Sequence, residues 1–365
     1  MTDALATPMT ALLGCRLPVI QTAMGWVAEP ALVAATTDAG GFGFLGAAVM
    51  TPRVAADRIA EVRTRTPGAF GVNFHMFQPG AGELVELILA NRDRVRAVSF
   101  GRGPDAAMIA RFRDAGIACV PTVGAVKHAQ KMVAMGVDML VVQGGEGGGH
   151  TGAVASTVLL PQVIDAVSAP VVAAGGFADG RGLAAALAFG AAGIAMGTRF
   201  LMTRESPVPD AVKQRYVAAA TDDIAVTTDV DGIPQRMIRN AALRRIERGG
   251  MLGGWRDAIA AGLEMKRRTG ASWSDLLHSA RGMHAHGLSL AQAIRAAAAP
   301  MRIQRAVVEG DADAGLMATG QVAGRLADLP SVAELLCAIE RDARARIAAL
   351  AGAPVLPSAN SGTLA

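Results

Sequence analysis

The sequence predicts an α/β fold, a TIM (β/α)8 barrel followed by a smaller C-terminal α-helical domain. Two observations carry this. Up to about residue 203, strand-length apolar runs recur roughly every 25 residues, and amphipathic, alanine-rich stretches of helical length separate them. Eight alternations without a longer switch-point crossover favour closure into a barrel over a doubly wound open sheet, the main competing architecture.

In order, the apolar runs occupy residues 18–23, 41–46, 70–76, 97–101, 118–124, 139–144, 170–176 and 193–200. Each is mostly apolar and bounded by glycine or a polar residue, as expected of strands buried on both faces. Helical stretches include 30–39, 53–65, 104–115, 126–135, 159–167 and 181–189, and Gly40, Gly116, Gly136 and Gly190 stand where helices should stop. Residues 10–203 thus form the predicted barrel. The rhythm breaks after Thr203. Residues 204–313 read as a charged, α-helical substrate or lid domain, in which Arg236, Arg239, Arg244, Arg245, Arg248, Lys266, Arg267 and Arg268 are concentrated. Residues 314–350 read as a return segment and a helix packing on the barrel, and 351–365 as a flexible tail.

Composition narrows the function. Of 365 residues 52% are hydrophobic, enough for a full-sized core, and 43 glycines with 4% aromatics indicate tight turns and close packing. The net charge is +4, with Lys and Arg scattered among acids and no basic tract interleaved with aromatics, which argues against nucleic acid as a partner. Cys15, Cys119 and Cys337 lie far apart without CxxC spacing and read as reduced thiols. Mean hydropathy is +0.34, yet Gly, Pro or charge interrupts each apolar run short of the ~20 residues that span a bilayer. The N-terminal residues lack the basic and apolar blocks of a leader. A soluble, cytoplasmic protein is expected.

Barrel enzymes carry their chemistry on the loops at the C-terminal ends of the strands, and the unusual motifs fall there. The first run ends in Gln21-Thr22-Ala23-Met24-Gly25-Trp26, the third in Asn73-Phe74-His75. After the sixth comes Gln143-Gly144-Gly145-Glu146-Gly147-Gly148-Gly149-His150-Thr151-Gly152, a loop that costs conformational entropy and suits close approach of backbone to a ligand. His150 is its chemical group, since an imidazole with a pKa of roughly 6.5 suits proton transfer near neutrality. The seventh run ends Ala174-Gly175-Gly176 and the eighth Met196-Gly197-Thr198, a pair of turns able to aim backbone N–H groups and a hydroxyl at a phosphate. Asn73 and Gln143 can present amides to a planar cofactor or else satisfy loop backbone. His284 and His286 are spaced i, i+2, wrong for one helical face, so no metal is expected.

These motifs, together with MGTRFLMTRES at 196–206, resemble the superfamily of nitronate monooxygenases and FMN-containing enoyl-acyl-carrier-protein reductases. The resemblance implies FMN, its phosphate on Gly175, Gly176, Gly197 and Thr198. The ring system would lie against Ala23, Met24, Gly25, Asn73 and Gln143, with Gly148 close by and His150 at the catalytic position. Gly149, Ala174 and Met196 complete the expected cofactor set. QTAMGWV, VVQGGEGGGHTG, VPDAVKQRY, VDGIP and ATGQVAGRLADLPS are similar to a branch acting on a coenzyme A thioester in steroid-ring catabolism. Two positions depart from the nitronate-oxidising pattern: Ala23-Met24-Gly25-Trp26 replaces Pro-Met-Ala-Gly, and Ala195 replaces a glutamine. The resulting expectation is an FMN-dependent oxidoreductase of a bulky CoA thioester, with NAD(P)H among candidate co-substrates and the oligomeric state open, a homodimer among the options. Three alternatives stand beside it: an O2-using nitronate monooxygenase, an NAD(P)H-dependent enoyl-thioester or quinone reductase, and a non-catalytic phosphate-binding barrel.

Overall fold

Nine parallel strands hydrogen-bond in the order β5-β4-β3-β2-β1-β10-β9-β7-β6. They are β1 (Val19–Gln21), β2 (Phe42–Gly46), β3 (Phe70–Asn73), β4 (Val95–Ser99), β5 (Ala118–Cys119), β6 (Thr122–Val123), β7 (Leu140–Gln143), β9 (Val171–Ala174) and β10 (Gly193–Met196); β8 (Gly149–His150) lies outside the barrel. The computed structural model describes residues 3–75, 78–101, 105–248 and 290–352.

The two end strands, β5 and β6, are halves of one extended run, and this closes the sheet into eight staves. On one side of the run Val120 donates to the Val98 carbonyl (2.8 Å); on the other Val141 donates to the Pro121 carbonyl (2.9 Å). Pro121 has no N–H to give, which divides the fifth stave without opening the barrel. All eight predicted runs therefore become staves.

Helices wrap the outside: α2 (Pro30–Asp38), α3 (Pro52–Arg65), α4 (Ala81–Ala90), α5 (Ala106–Asp114), α6 (Val126–Ala134), α7 (Ser156–Ala166) and α8 (Gly180–Ala188). Gly40, Gly116, Gly136 and Gly190 follow four of them with φ between +75° and +93°, the left-handed stop expected from sequence. The core has two layers. Ile20, Phe42, Phe44, Val120, Val141 and Val172 fill the barrel interior, and Met9 and Leu13 of α1 (Pro8–Leu13) join that same cluster. A larger cluster lies between staves and helices. Small residues inside are obligatory: a Cβ on Gly71 would sit 2.3 Å from the Phe44 ring.

After β10 come α9 (Thr198–Leu201), α10 (Asp210–Val217), β11 (Ile224–Thr227), β12 (Gln235–Ile238), α11 (Ala241–Arg248), α12 (Leu290–Val307) and α13 (Val332–Leu350). The expectation of an all-helical segment over 204–313 is corrected here. β11 and β12 form an antiparallel hairpin whose second strand pairs with β8, making a three-stranded sheet. β-Branched residues flanking an Asp-Gly turn favour that conformation over helix. Residues 249–289, which include Lys266, Arg267, Arg268, His284 and His286, lie outside the described residues, as does the tail from 353. Among the described residues no helix is long and apolar enough to cross a membrane.

The return segment ends in α13, which starts on a capping box between Ser331 and Glu334 and packs along α8 and α2. The approach to α8 is close: a Cβ on Gly180 would lie 2.4 Å from the Ala343 nitrogen and 2.6 Å from the Ile339 carbonyl oxygen. Gly180→Ala is therefore expected to lower stability by about 1–3 kcal/mol, although alanine is the better helix former. Urea unfolding of the two proteins checks this, and a stabilised variant would contradict the packing described.

Candidate active site

Strand register collects the tips of the staves. Gln21 pairs with Met196, Gly46 with Asn73, and Gln143 with Ala174, so the loops beyond them surround one space. That space is a cavity of about 430 Å3, within the size range of small-molecule sites. Ala23, Met24 and Gly25 line it from the loop after β1, Asn73 from β3, and Gln143 from β7. Gly148 and Gly149 contribute from the glycine loop, Ala174, Gly175 and Gly176 from the end of β9, and Met196, Gly197 and Thr198 from the end of β10. Every cofactor position expected from the sequence thus faces the same cavity.

One end of the cavity is built from backbone. Gly175 (φ +96°) and Gly176 (φ +81°) adopt consecutive left-handed conformations that other residues rarely take. Beside them the N-cap Gly197 and the first residue of α9, Thr198, also line the cavity, and no side chain caps the helix, which leaves the N–H groups of its first turn without a capping partner. This donor set fits an anion such as a phosphate. Gly320 closes the same end, donating to Thr198 Oγ1 at 2.8 Å. The Asn73 amide donates to the Ser99 carbonyl (3.1 Å) and that of Gln143 to the His150 carbonyl (3.0 Å). Both amides therefore hold loop backbone while they line the cavity.

His150 stands differently. It is half-exposed at the rim and is absent from the lining, although its neighbour Gly149 belongs to it. The imidazole Nε2 lies 2.7 Å from Asp231 Oδ2. Asp231 is buried, and its carboxylate also accepts from the Gln235 amide and from the Ile233 N–H at 3.0 Å. Burial works against the charged carboxylate, but the hydrogen bonds from His150, Ile233 and Gln235 outweigh it and hold Asp231 below the ordinary range. A carboxylate can only accept, so Nε2 carries a proton and Nδ1 is the basic nitrogen of the neutral ring. His75, also a strand-end histidine, does not line the cavity.

Several residues were missed from sequence. Asp231 belongs to VDGIP, a segment marked by resemblance but assigned no role, and its Asp-Gly pair was the available signal. Thr319 and Gly320 lie within ATGQ, which likewise carried no positional information. Val49, and Pro300, Ile303 and Val307 of α12, also missed, add to the apolar part of the lining beside Trp26, which the sequence places in the loop after the first run.

Fold and site together define a barrel enzyme with its ligand cavity at the C-terminal ends of the strands. The family model for nitronate monooxygenase matches residues 6–86 and 82–342, and the chain belongs to that family. Two relatives, from Mycobacterium tuberculosis H37Rv and Rhodococcus jostii RHA1, are each a (3aS,4S,5R,7aS)-5-hydroxy-7a-methyl-1-oxo-octahydro-1H-indene-4-carboxyl-CoA dehydrogenase. The first is 48% identical over 93% of this chain and 96% of its own length, the second 46% over 95% and 98%. Among solved structures, FabK from Thermotoga maritima superposes with a TM-score of 0.78 at 31% identity, covering 95% of this chain and 98% of its own. Nitroalkane oxidase from Streptomyces ansochromogenes follows with 0.74 at 28%, covering 94% and 100%. The protein is accordingly an oxidoreductase, and its family is the one whose resemblance implied a flavin.

The state of Asp231 has a pH signature. Because its folded pKa is depressed, its contribution to stability is complete above the unfolded value of about 3.9 and is lost as pH falls through the folded value. Asp231→Asn should therefore be less stable than the parent at pH 7, with the gap narrowing as pH falls below about 3.9. Denaturant midpoints across that range measure it, and a gap constant with pH would contradict the assigned charge.

Proposed function

We propose that the protein is an FMN-dependent dehydrogenase acting on a ring hydroxyl of a bulky coenzyme A thioester, with His150 as acid–base group. The observation that carries this reading is the cavity at the strand tips. It joins an end rich in donors, at Gly175, Gly176, Gly197 and the Thr198 hydroxyl, to an apolar wall that suits a planar or alicyclic group. The donor set fits the phosphate of FMN, and Ala23, Met24, Gly25, Asn73 and Gln143, which line the same cavity, would hold the ring system. FMN, when bound, supplies two-electron chemistry as a hydride acceptor. The substrate class is supported by the two relatives named for a hydroxy-indene-carboxyl-CoA, whose similarity runs nearly the length of both chains.

The residues of the chain supply the proton chemistry. His150 would take the hydroxyl proton at Nδ1, because Asp231 holds Nε2–H and fixes the tautomer. The imidazolium so formed is stabilised by the same carboxylate, buried in the hairpin. Exposed Arg244 and Arg248 on α11 offer charge for the phosphates of coenzyme A.

Two other readings have support of their own. An NAD(P)H-dependent enoyl-thioester reductase is favoured by the likeness to FabK, and nitronate oxidation with O2 by the family model. An anaerobic absorbance titration separates all three. A yellow protein bleached by a ring-hydroxylated acyl-CoA, and not by NADH, NADPH or a nitronate, is the expected outcome. Bleaching by a pyridine nucleotide alone or by a nitronate would assign one of the alternatives, and a protein that takes up no flavin would refute all three. In the bleaching step, His150→Ala and Asp231→Asn should each slow reduction by about 10²–10⁴-fold while retaining the flavin. Full rates in either variant would remove the proposed role.

A further inference from the structure

Trp26 is the one non-glycine residue with positive φ among the described residues, at +61°. The left-handed region disfavours every side chain, and for a bulky one it is an outlier that persists only where the surroundings hold it. A turn that needed only the backbone shape would be served by glycine at no steric cost. The side chain is therefore the reason for the strain, and its position shows what it offers. Trp26 is half-buried and lines the cavity.

Much of the end of the cavity at the tips of β9 and β10 is glycine and backbone. Trp26 supplies the one tryptophan face of the lining, and Val49, Leu201, Pro300, Ile303 and Val307 add aliphatic surface. None of these six carries a charge. A wall of this composition rewards a rigid apolar fragment and offers nothing to a polar or charged one.

We infer that Trp26 is a specificity-determining residue whose indole forms the wall against which the fused alicyclic ring of the acyl group lies, the strained turn after β1 being kept to place it there. The inference rests on the CoA-thioester reading above. It assigns Trp26 no part in the chemistry.

The test is binding, not turnover. Flavin-loaded protein is titrated anaerobically with two thioesters that carry no oxidisable hydroxyl, octahydroindene-carboxyl-CoA and acetyl-CoA, and Kd is read from the change in the visible flavin band. Trp26→Gly should raise Kd for the ring thioester at least about tenfold and leave that for acetyl-CoA within about twofold. Trp26→Phe, which keeps an aromatic wall, should fall between. Trp26→Asn, tolerated in the left-handed region, repeats the measurement if the glycine variant fails to fold. Equal weakening of both thioesters would show a merely structural role and overturn the inference. Unchanged ring affinity in the variants, with tight binding by the parent, would overturn it while sparing the substrate reading. A parent that binds the ring thioester no better than acetyl-CoA would overturn both.

Discussion

The site depends on one constraint: the glycine loop between β7 and α7 must be held in a single conformation. Residues 144–152 contain six glycines and so gain little from side-chain packing, while fixing them costs more entropy than fixing any other residues. Backbone hydrogen bonds supply the restraint. Gly145 donates to the Val154 carbonyl (2.6 Å), Thr151 to Pro234 (3.1 Å), and Gln321 to Glu146 (2.9 Å). Arg236 adds a bond to the Gly145 carbonyl at 2.7 Å. The Glu146 carboxylate turns inward onto the Ser156 hydroxyl and N–H, tying the loop to the start of α7. Contact is so close that a Cβ on Gly148 would lie 2.5 Å from the Thr319 carbonyl carbon. Loop, hairpin and return segment are thus one assembly.

What holds the return segment is itself a consequence of the eighth stave. Arg199, in the short helix that follows β10, is buried and donates to the Asp328 carboxylate (2.6 Å), the Asp328 carbonyl and the Met202 carbonyl. A buried guanidinium is costly unless its donors are met, and two of the three bonds made here go to Asp328 of the return segment. Five and six residues on, Arg204 N–H bonds the Pro330 carbonyl and Glu205 accepts from Val332 N–H. Chain from beyond residue 316 is thereby laid across the C-terminal face of the barrel, and Thr319 and Gly320 reach the cavity. The stretch that begins with α9, at the glycine end of the cavity, therefore also anchors the segment that closes it.

Local pattern made the barrel and the tips of its staves legible. Alternating buried strands and amphipathic helices recur often enough to fix the topology, and a barrel topology states where loops must gather. Position along the chain was then enough to place Asn73, Gln143, Gly175 and Thr198 around a common space. The hairpin was not legible, because its strands are four residues each and sit among arginine-rich stretches that read as helix. With it went Asp231, which meets His150 across 81 positions of sequence. Pro300, Ile303 and Val307 were invisible for the same reason: helical periodicity identifies an apolar face but not the surface that it covers. Trp26 was noticed as a departure from a family pattern, yet only coordinates reveal that the departure places a tryptophan in a glycine conformation.

This division between legible and illegible parts follows the division of labour in the site. The glycine end of the cavity is mostly backbone, delivered by the tips of β9 and β10, with the Thr198 hydroxyl beside it. The imidazole's partner and the apolar surface of Trp26, Val49, Pro300, Ile303 and Val307 come from segments that follow β1, β2 and β10, where the barrel constrains neither length nor composition. The two ends of the cavity are therefore shaped by different physical means, main-chain conformation at one and side-chain identity at the other. Relatives with one shared barrel and different reactions are the expected result of that separation. In this chain the positions that differ from the nitronate-oxidising pattern, Ala23, Gly25, Trp26 and Ala195, all line the cavity, so the difference falls on the surface that a ligand meets.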